Sequence, residues 1–115
     1  MTVLTLYGIP NCDTVKKARH WLEQHGVSYR FHDYKKAGID AATLKRWCQE
    51  LGYGQVLNQR GTSWRKLTEA ERSPLNESRA LQLMQAQPSL IKRPLIDTGS
   101  RLLLGFSESS YQSLL

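Results

Sequence analysis

The sequence predicts an α/β domain built on a four-stranded mixed sheet, in the order β-α-β, a helical insertion, then β-β-α. Three observations carry this. An apolar run, "VLTLY", leads through a Gly-Ile-Pro turn into a stretch with helical apolar spacing, and an alternating run follows it. The middle of the chain carries helical spacing and breakers without strand alternation. Near the end, "PLIDTGSRLLLGF" reads as a hairpin with a short helix behind it.

Taken in order, residues 3–7 form a short, mostly buried strand. Asn11 or Cys12 caps a helix over about 13–25, whose core face is Val15, Ala18, Trp21 and Leu22. Gly26 stands where a helix ends, and "VSYRFHDY" is the second strand. Two strands joined by a helix pair in parallel. Gly38 breaks the chain, and Asp40 caps "DAATLKRWCQEL", with Leu44, Trp47, Cys48 and Leu51 on one face. Residues 52–76 read as short helical pieces between turns. Asn76 caps "ESRALQLMQAQ", with Ala80, Leu81 and Met84 inward, and Pro88 ends it. The hairpin turns at Asp97–Ser100, with its second strand from Leu102 to Phe106. Ser107 caps a last helix with Tyr111 and Leu114 facing in. This order is the thioredoxin-type arrangement. At 115 residues the chain is read as one domain, 1–115, with a helical insert over about 40–90.

Composition narrows the function. No stretch approaches the roughly 18–20 apolar residues of a membrane span. The N-terminus lacks the basic start of a signal peptide, so the expectation is a cytoplasmic protein with no membrane partner. Two cysteines, Cys12 and Cys48, do not make a disulfide framework. His20, His25 and His32 form no ligand pattern with them, so no metal is expected. The net charge of +6 favours anionic partners such as oxyanions or acidic peptides, glutathione among them. The charge is spread, without a basic tail, which argues against generic nucleic-acid binding.

Cys12 is the candidate nucleophile. A thiol reacts as its thiolate, and a helix start offers unpaired amides and the positive end of the dipole to an anion. Lys16 lies about one turn on, and Thr14 carries a hydroxyl that can donate to sulfur; the neighbouring Asp13 opposes both. Position alone leaves Cys12 open between this and a small apolar residue at a turn. Cys48 sits mid-stripe on its helix and reads as a packed core thiol. Arg60 falls in "LNQRGTSWRKL" and Arg93 precedes Pro94 in "LIKRPLI". Taken alone, each arginine reads first as a solvated surface charge, and Pro94 is open to reading as an ordinary strand-start proline. Spacing does not show that either arginine meets Cys12.

"YGIPNCDTVKKARHWLEQHGVSY", "LNQRGTSWRKL", and "IKRPLI" with "LLLGF" together resemble the arsenate reductase (ArsC)/Spx family of thioredoxin-fold proteins, nearest to its YffB branch, over essentially the whole chain. The resemblance implies that Cys12 matches the catalytic cysteine. It implies that Arg60 and Arg93 match arginines that bind oxyanion and thiolate, and that Pro94 is a cis proline facing the cysteine. Against the family's branches, Val15 stands where the second cysteine of a C-x-x-C switch would be, and the only arginine near "LLLGFSESSYQSLL" is Arg101. The expected activity is therefore a glutathione-dependent thiol reductase. Glutathione is its co-substrate rather than a bound cofactor, its carboxylates meet Arg60, Arg93 and Lys16, and Asn11, Thr14 and Pro94 lie beside them. Glutaredoxin is a candidate partner. Reduction of arsenate or another oxyanion is one alternative; an Spx-like regulator that binds RNA polymerase is another.

Overall fold

The computed structural model describes residues 4–115, so the expectation for Val3 lies outside the described residues. Along the chain run β1 (Leu4–Gly8), α1 (Asp13–Gln24), β2 (Tyr29–Asp33), α2 (Tyr34–Ala37), α3 (Ala41–Leu51), α4 (Tyr53–Val56), α5 (Thr62–Arg65), α6 (Glu69–Arg72) and α7 (Glu77–Ala86). A 3-10 turn at Pro88–Leu90 is followed by β3 (Leu95–Asp97), β4 (Leu102–Leu104) and α8 (Glu108–Gln112). The chain divides into two compact units: everything up to Ala37 together with Arg93–Leu115, and the insert Gly38–Lys92.

The first unit is the sheet unit, a mixed four-stranded sheet in the order β2-β1-β3-β4. β1 runs parallel to β2, with Leu4 opposite Tyr29 and Gly8 opposite Asp33. β3 runs antiparallel to β1, with Tyr7 opposite Leu95 and Thr5 opposite Asp97. β4 pairs antiparallel with β3, Leu95 lying opposite Leu104. This is the thioredoxin-like α/β architecture. The alternation of β1 sends Leu4 and Leu6 into a core with Val15, Ala18, Trp21 and Leu22 of α1, Ile96 of β3 and Tyr111 of α8. Each large apolar side chain taken out of water there contributes roughly 1.5–3 kcal/mol.

The ends of the elements follow local chemistry. Cys12, not Asn11, is the N-cap residue of α1; Asn11 is exposed. β2 stops at Asp33 rather than running through Tyr34. The Asp33 carboxylate accepts from the amides of Lys35 and Lys36, at 3.1 and 3.3 Å, and so closes the turn of α2. β4 ends at Leu104 instead of Phe106, because Gly105 takes φ +79°, which a strand residue cannot hold. The Gly105 amide turns back to the Pro94 carbonyl at 2.8 Å. Ser107 caps α8 through the Ser110 amide.

The regular elements of the insert are all helical, and its buried residues include Leu44, Trp47, Cys48, Val56, Met84 and Ile91. Asp40 caps α3 and Asn76 caps α7, as their sequence positions imply. Leu51 and Leu81 are half-buried rather than fully inward. Among the short pieces, α6 opens with a complete capping box between Thr68 and Glu71.

Candidate active site

The register of the sheet gathers one end of it. β1 ends at Gly8 and leads into Cys12. β2 ends at Asp33, paired with Gly8, and leads into Tyr34. β3 begins at Leu95, paired with Tyr7, directly after Arg93 and Pro94. Cys12, Tyr34, Arg93 and Pro94 therefore stand at the same end of the same sheet, and the Arg93–Pro94 bond is cis.

Cys12 is half-buried. Its amide bonds to the Ile9 carbonyl at 3.3 Å and its own carbonyl receives the Lys16 amide at 3.0 Å, so the backbone is fixed on both sides. The thiol takes no part in capping α1. Gly8 sets how closely the helix approaches, since a Cβ there would lie 2.8 Å from Val15 Cγ2. The missing side chain lets the first turn of α1 lie against the end of β1. Asn11, Thr14 and Lys16 are exposed on the rim around the cysteine. Beside the Cys12 loop, Ile9, Pro10, Asn11, Asp33, Lys35 and Lys36 line a shallow polar groove.

Tyr34 is the site residue that the sequence reading missed. It is fully buried. Burial pushes its phenol well above the usual tyrosine range, and the Arg93 guanidinium opposes this through its charge and a hydrogen bond to the phenol oxygen. Smaller effects from Cys12 and Asp33 push the phenol further up, which puts the sulfur within electrostatic reach of that oxygen. The available signal was a bulky polar aromatic immediately after an Asp at the end of a strand, a residue that alternation assigned to the strand.

Arg60 lies in the insert, exposed, in a loop held by three local devices. Leu57 bridges to Ile91, and the Asn58 amide donates to the Leu90 carbonyl at 2.7 Å. The Asn58 side chain accepts from the Arg60 amide at 3.1 Å. Within that unit Arg60 and Lys92 border one polar groove. Arg101 is committed elsewhere: its guanidinium donates to the Ser113 carbonyl and hydroxyl at 2.9 and 2.8 Å. It follows Asp97, which pairs with Thr5 at the far end of β1, so it stands at the opposite end of the sheet from Cys12.

Cys48 is 3% exposed, and burial, with Glu77 adding, pushes its thiol up to about 11. His20 is exposed; His25 stacks on Trp21 at 3.9 Å, and His32 packs against Tyr7 at 4.9 Å. Among the described residues, no group of His, Cys, Asp and Glu side chains could hold a metal ion, and no helix is long and apolar enough to cross a membrane.

A thioredoxin-like sheet that carries one half-exposed cysteine at the start of its first helix, with an arginine and a cis proline at the same sheet end, defines a thiol protein of the thioredoxin-fold class. The sequence pattern of the ArsC family matches residues 7–114, and the chain belongs to that family. It is similar to the solved structure of the protein YffB (PA3664), at 53% identity and a TM-score of 0.94, covering 96% of this chain and 97% of that one. An arsenate reductase (ArsC) related protein from Brucella melitensis is 50% identical, with a TM-score of 0.77, over 96% and 92% of the two chains. An uncharacterized protein of Haemophilus influenzae is 40% identical over 96% of this chain and 97% of its own. The global transcriptional regulator Spx of Listeria innocua is 28% identical over 98% and 87%. The chain is thus an ArsC-family thiol protein, of the arsenate reductase-like or Spx-like kind.

Proposed function

We propose that this protein is a glutathione-dependent thiol reductase with Cys12 as its nucleophile. The observation that carries the reading is one reachable cysteine without a partner thiol. Val15 occupies the place of a C-x-x-C second cysteine and is wholly buried, and Cys48 is a buried thiol in the insert, neutral at physiological pH. A one-cysteine site has to be reset by an external thiol.

In the first step the Cys12 thiolate attacks the glutathione sulfur of a mixed disulfide. The old S–S bond breaks, a Cys12–glutathione disulfide forms, and the substrate leaves as thiolate and takes a proton from water. In the second step a glutathione thiolate attacks that disulfide, Cys12 is released as thiolate and oxidised glutathione leaves. The net exchange consumes one free glutathione: the substrate's disulfide becomes a thiol, and the glutathionyl group it carried leaves as half of the oxidised glutathione, with rates that follow the thiolate fraction and the leaving group. Arg93 and Lys16 supply positive charge at the Cys12 end of the sheet, where the thiolates form and glutathione presents its carboxylates. Arg60 is proposed to help recognise the same co-substrate, in keeping with the family resemblance of its loop.

Two other readings have an observation each. The Brucella relative's description brings arsenate reduction into range; the engagement of Arg101 with Ser113 counts against a third arginine for an oxyanion. The Spx relative is a global transcriptional regulator, and together with the family resemblance it brings in the reading of a regulator that binds RNA polymerase without chemistry.

Turnover of a glutathionylated peptide by wild type and by Cys12→Ser tests the proposal. We expect loss of turnover in the variant, and survival of turnover refutes the mechanism. Arsenate reduction with glutathione and glutaredoxin supports the first alternative. Co-purification with RNA polymerase that persists in Cys12→Ser supports the second.

A further inference from the structure

We propose that Tyr34 is a positioning residue for Cys12: its buried hydroxyl holds the Arg93 guanidinium in place at the thiol end of the sheet. The inference deepens the reading of Cys12 as a thiol nucleophile and rests on it.

The argument starts from what the hydroxyl costs. Tyr34 is fully buried, whereas Lys35, Lys36 and Ala37 of the same helical turn are exposed. A buried hydroxyl is unfavourable unless it is hydrogen-bonded, and a phenylalanine would fill the same space without that cost. Here the hydroxyl bonds to Arg93. The register explains why the two meet, since Asp33 and Leu95 pair with adjacent residues of β1, and Tyr34 and Arg93 stand just beyond those pairs.

A tyrosine suits this task better than a carboxylate. An arginine side chain carries about 2 kcal/mol of rotamer entropy, and a fixed acceptor removes part of that freedom before any substrate arrives. A carboxylate acceptor would neutralise the guanidinium. The phenol stays uncharged, so the full positive charge remains for a thiolate or an incoming anion. The nearby carboxylate, Asp33, is occupied with the Lys35 and Lys36 amides. Burial keeps the phenol protonated well beyond physiological pH, so this arrangement does not switch in the working range.

The test compares alkylation of Cys12 by iodoacetate and by iodoacetamide, in a Cys48→Ser background at fixed pH and low salt. The two reagents are similar in size and differ in charge, so the ratio of their rates cancels accessibility and reports the cation beside the sulfur. We expect Tyr34→Phe to lower the iodoacetate-to-iodoacetamide ratio by about three- to tenfold, the size of one hydrogen bond. Arg93→Ala should lower it at least as far, and Tyr34→Phe added to Arg93→Ala should change nothing more, because the two act as one unit. Arg93→Lys, which keeps the charge and loses the fork, should fall towards the Tyr34→Phe value; it remains informative should the tyrosine variant misfold. A wild-type ratio in Tyr34→Phe or in Arg93→Lys, an additive double variant, or an Arg93→Ala ratio equal to wild type each overturns the proposal. Labelling needs no turnover. Failure of the glutathione reading would therefore show in the turnover assay and leave this ratio untouched.

Discussion

The Arg93 guanidinium donates to the fully buried hydroxyl of Tyr34; Tyr34 stands one position after the end of β2 and Arg93 two positions before the start of β3, and those strand ends pair on adjacent residues of β1. That relationship joins a helical turn to the start of β3 at the place where β1 delivers Cys12. It divides the chemistry of the site into an accessible part, the half-buried thiol and its exposed rim, and a buried part, the Tyr34 hydroxyl.

The two cysteines should label in different regimes. Cys12 is half-buried at a helix start, while Cys48 is 3% exposed with its thiol pushed up to about 11 by burial. At pH 7.5 a neutral alkylating reagent should modify one thiol per chain quickly, identified as Cys12 by mass spectrometry. Cys48 should react only in denaturant. Equal labelling of both in the native protein would contradict the packing of α3.

Gly8→Ala should be costly for so small a change. Its Cβ would stand 2.8 Å from Val15 Cγ2, and Val15 is itself fully buried and unable to yield. Overpacking of this kind costs about 1–3 kcal/mol. Urea unfolding should show that loss. Because the clash pushes α1 off the end of β1, the Cys12 alkylation rate should change as well. A variant with wild-type stability would mean that helix and strand separate easily here.

Stability should decline in alkaline solution. Burial raises the Cys48 thiol to about 11 and pushes the Tyr34 and Tyr111 phenols above their usual range. In each case the folded state holds its proton more tightly than the unfolded chain does. The contribution is complete below the unfolded value, about 8.5 for a cysteine, and is lost as pH rises through the folded value. The urea midpoint should therefore hold steady to about pH 8 and fall between roughly pH 8.5 and 11. Cys48→Ala should flatten the first part of that fall and leave the tyrosine part. A midpoint that does not change across this range would show that the three groups titrate alike in both states.

Much of the fold was legible because its signals are local. Asp40, Asn76 and Ser107 cap the helices they were expected to cap, and the core stripes of α1 and α3 follow the 3.6-residue period. The capping box of Thr68 and Glu71 was equally local, and lay unread in "TEAER". Tyr34 was hidden because alternation continues through it, and only the bonds of Asp33 to two amides show that the strand has ended. The meeting of Arg93 with Tyr34 depends on two long-range pairings to β1, which no spacing encodes. Resemblance singled out Arg93, and the sheet register explains how it reaches the Cys12 end of the sheet.

The two arginines should separate in kinetics. Arg93 stands with Cys12 at one end of the sheet, beside a buried phenol, and in the proposed mechanism its charge acts on sulfur as the thiolate forms and leaves. Arg93→Ala should lower both kcat and kcat/KM for a glutathionylated peptide by about 10- to 100-fold, the scale of one charge-assisted contact. Arg60 is exposed in a loop tied down by Leu57, Asn58 and Leu90, which suits the capture of a carboxylate more than the bond exchange itself. Arg60→Ala should raise KM for glutathione severalfold and leave kcat near wild type, the pattern of binding lost equally in ground and transition states. Steady-state rates at varied glutathione decide both. An unchanged KM in Arg60→Ala would remove that residue from the recognition of glutathione. An unchanged kcat in Arg93→Ala would mean that the guanidinium at this end of the sheet does not act on the reacting sulfur.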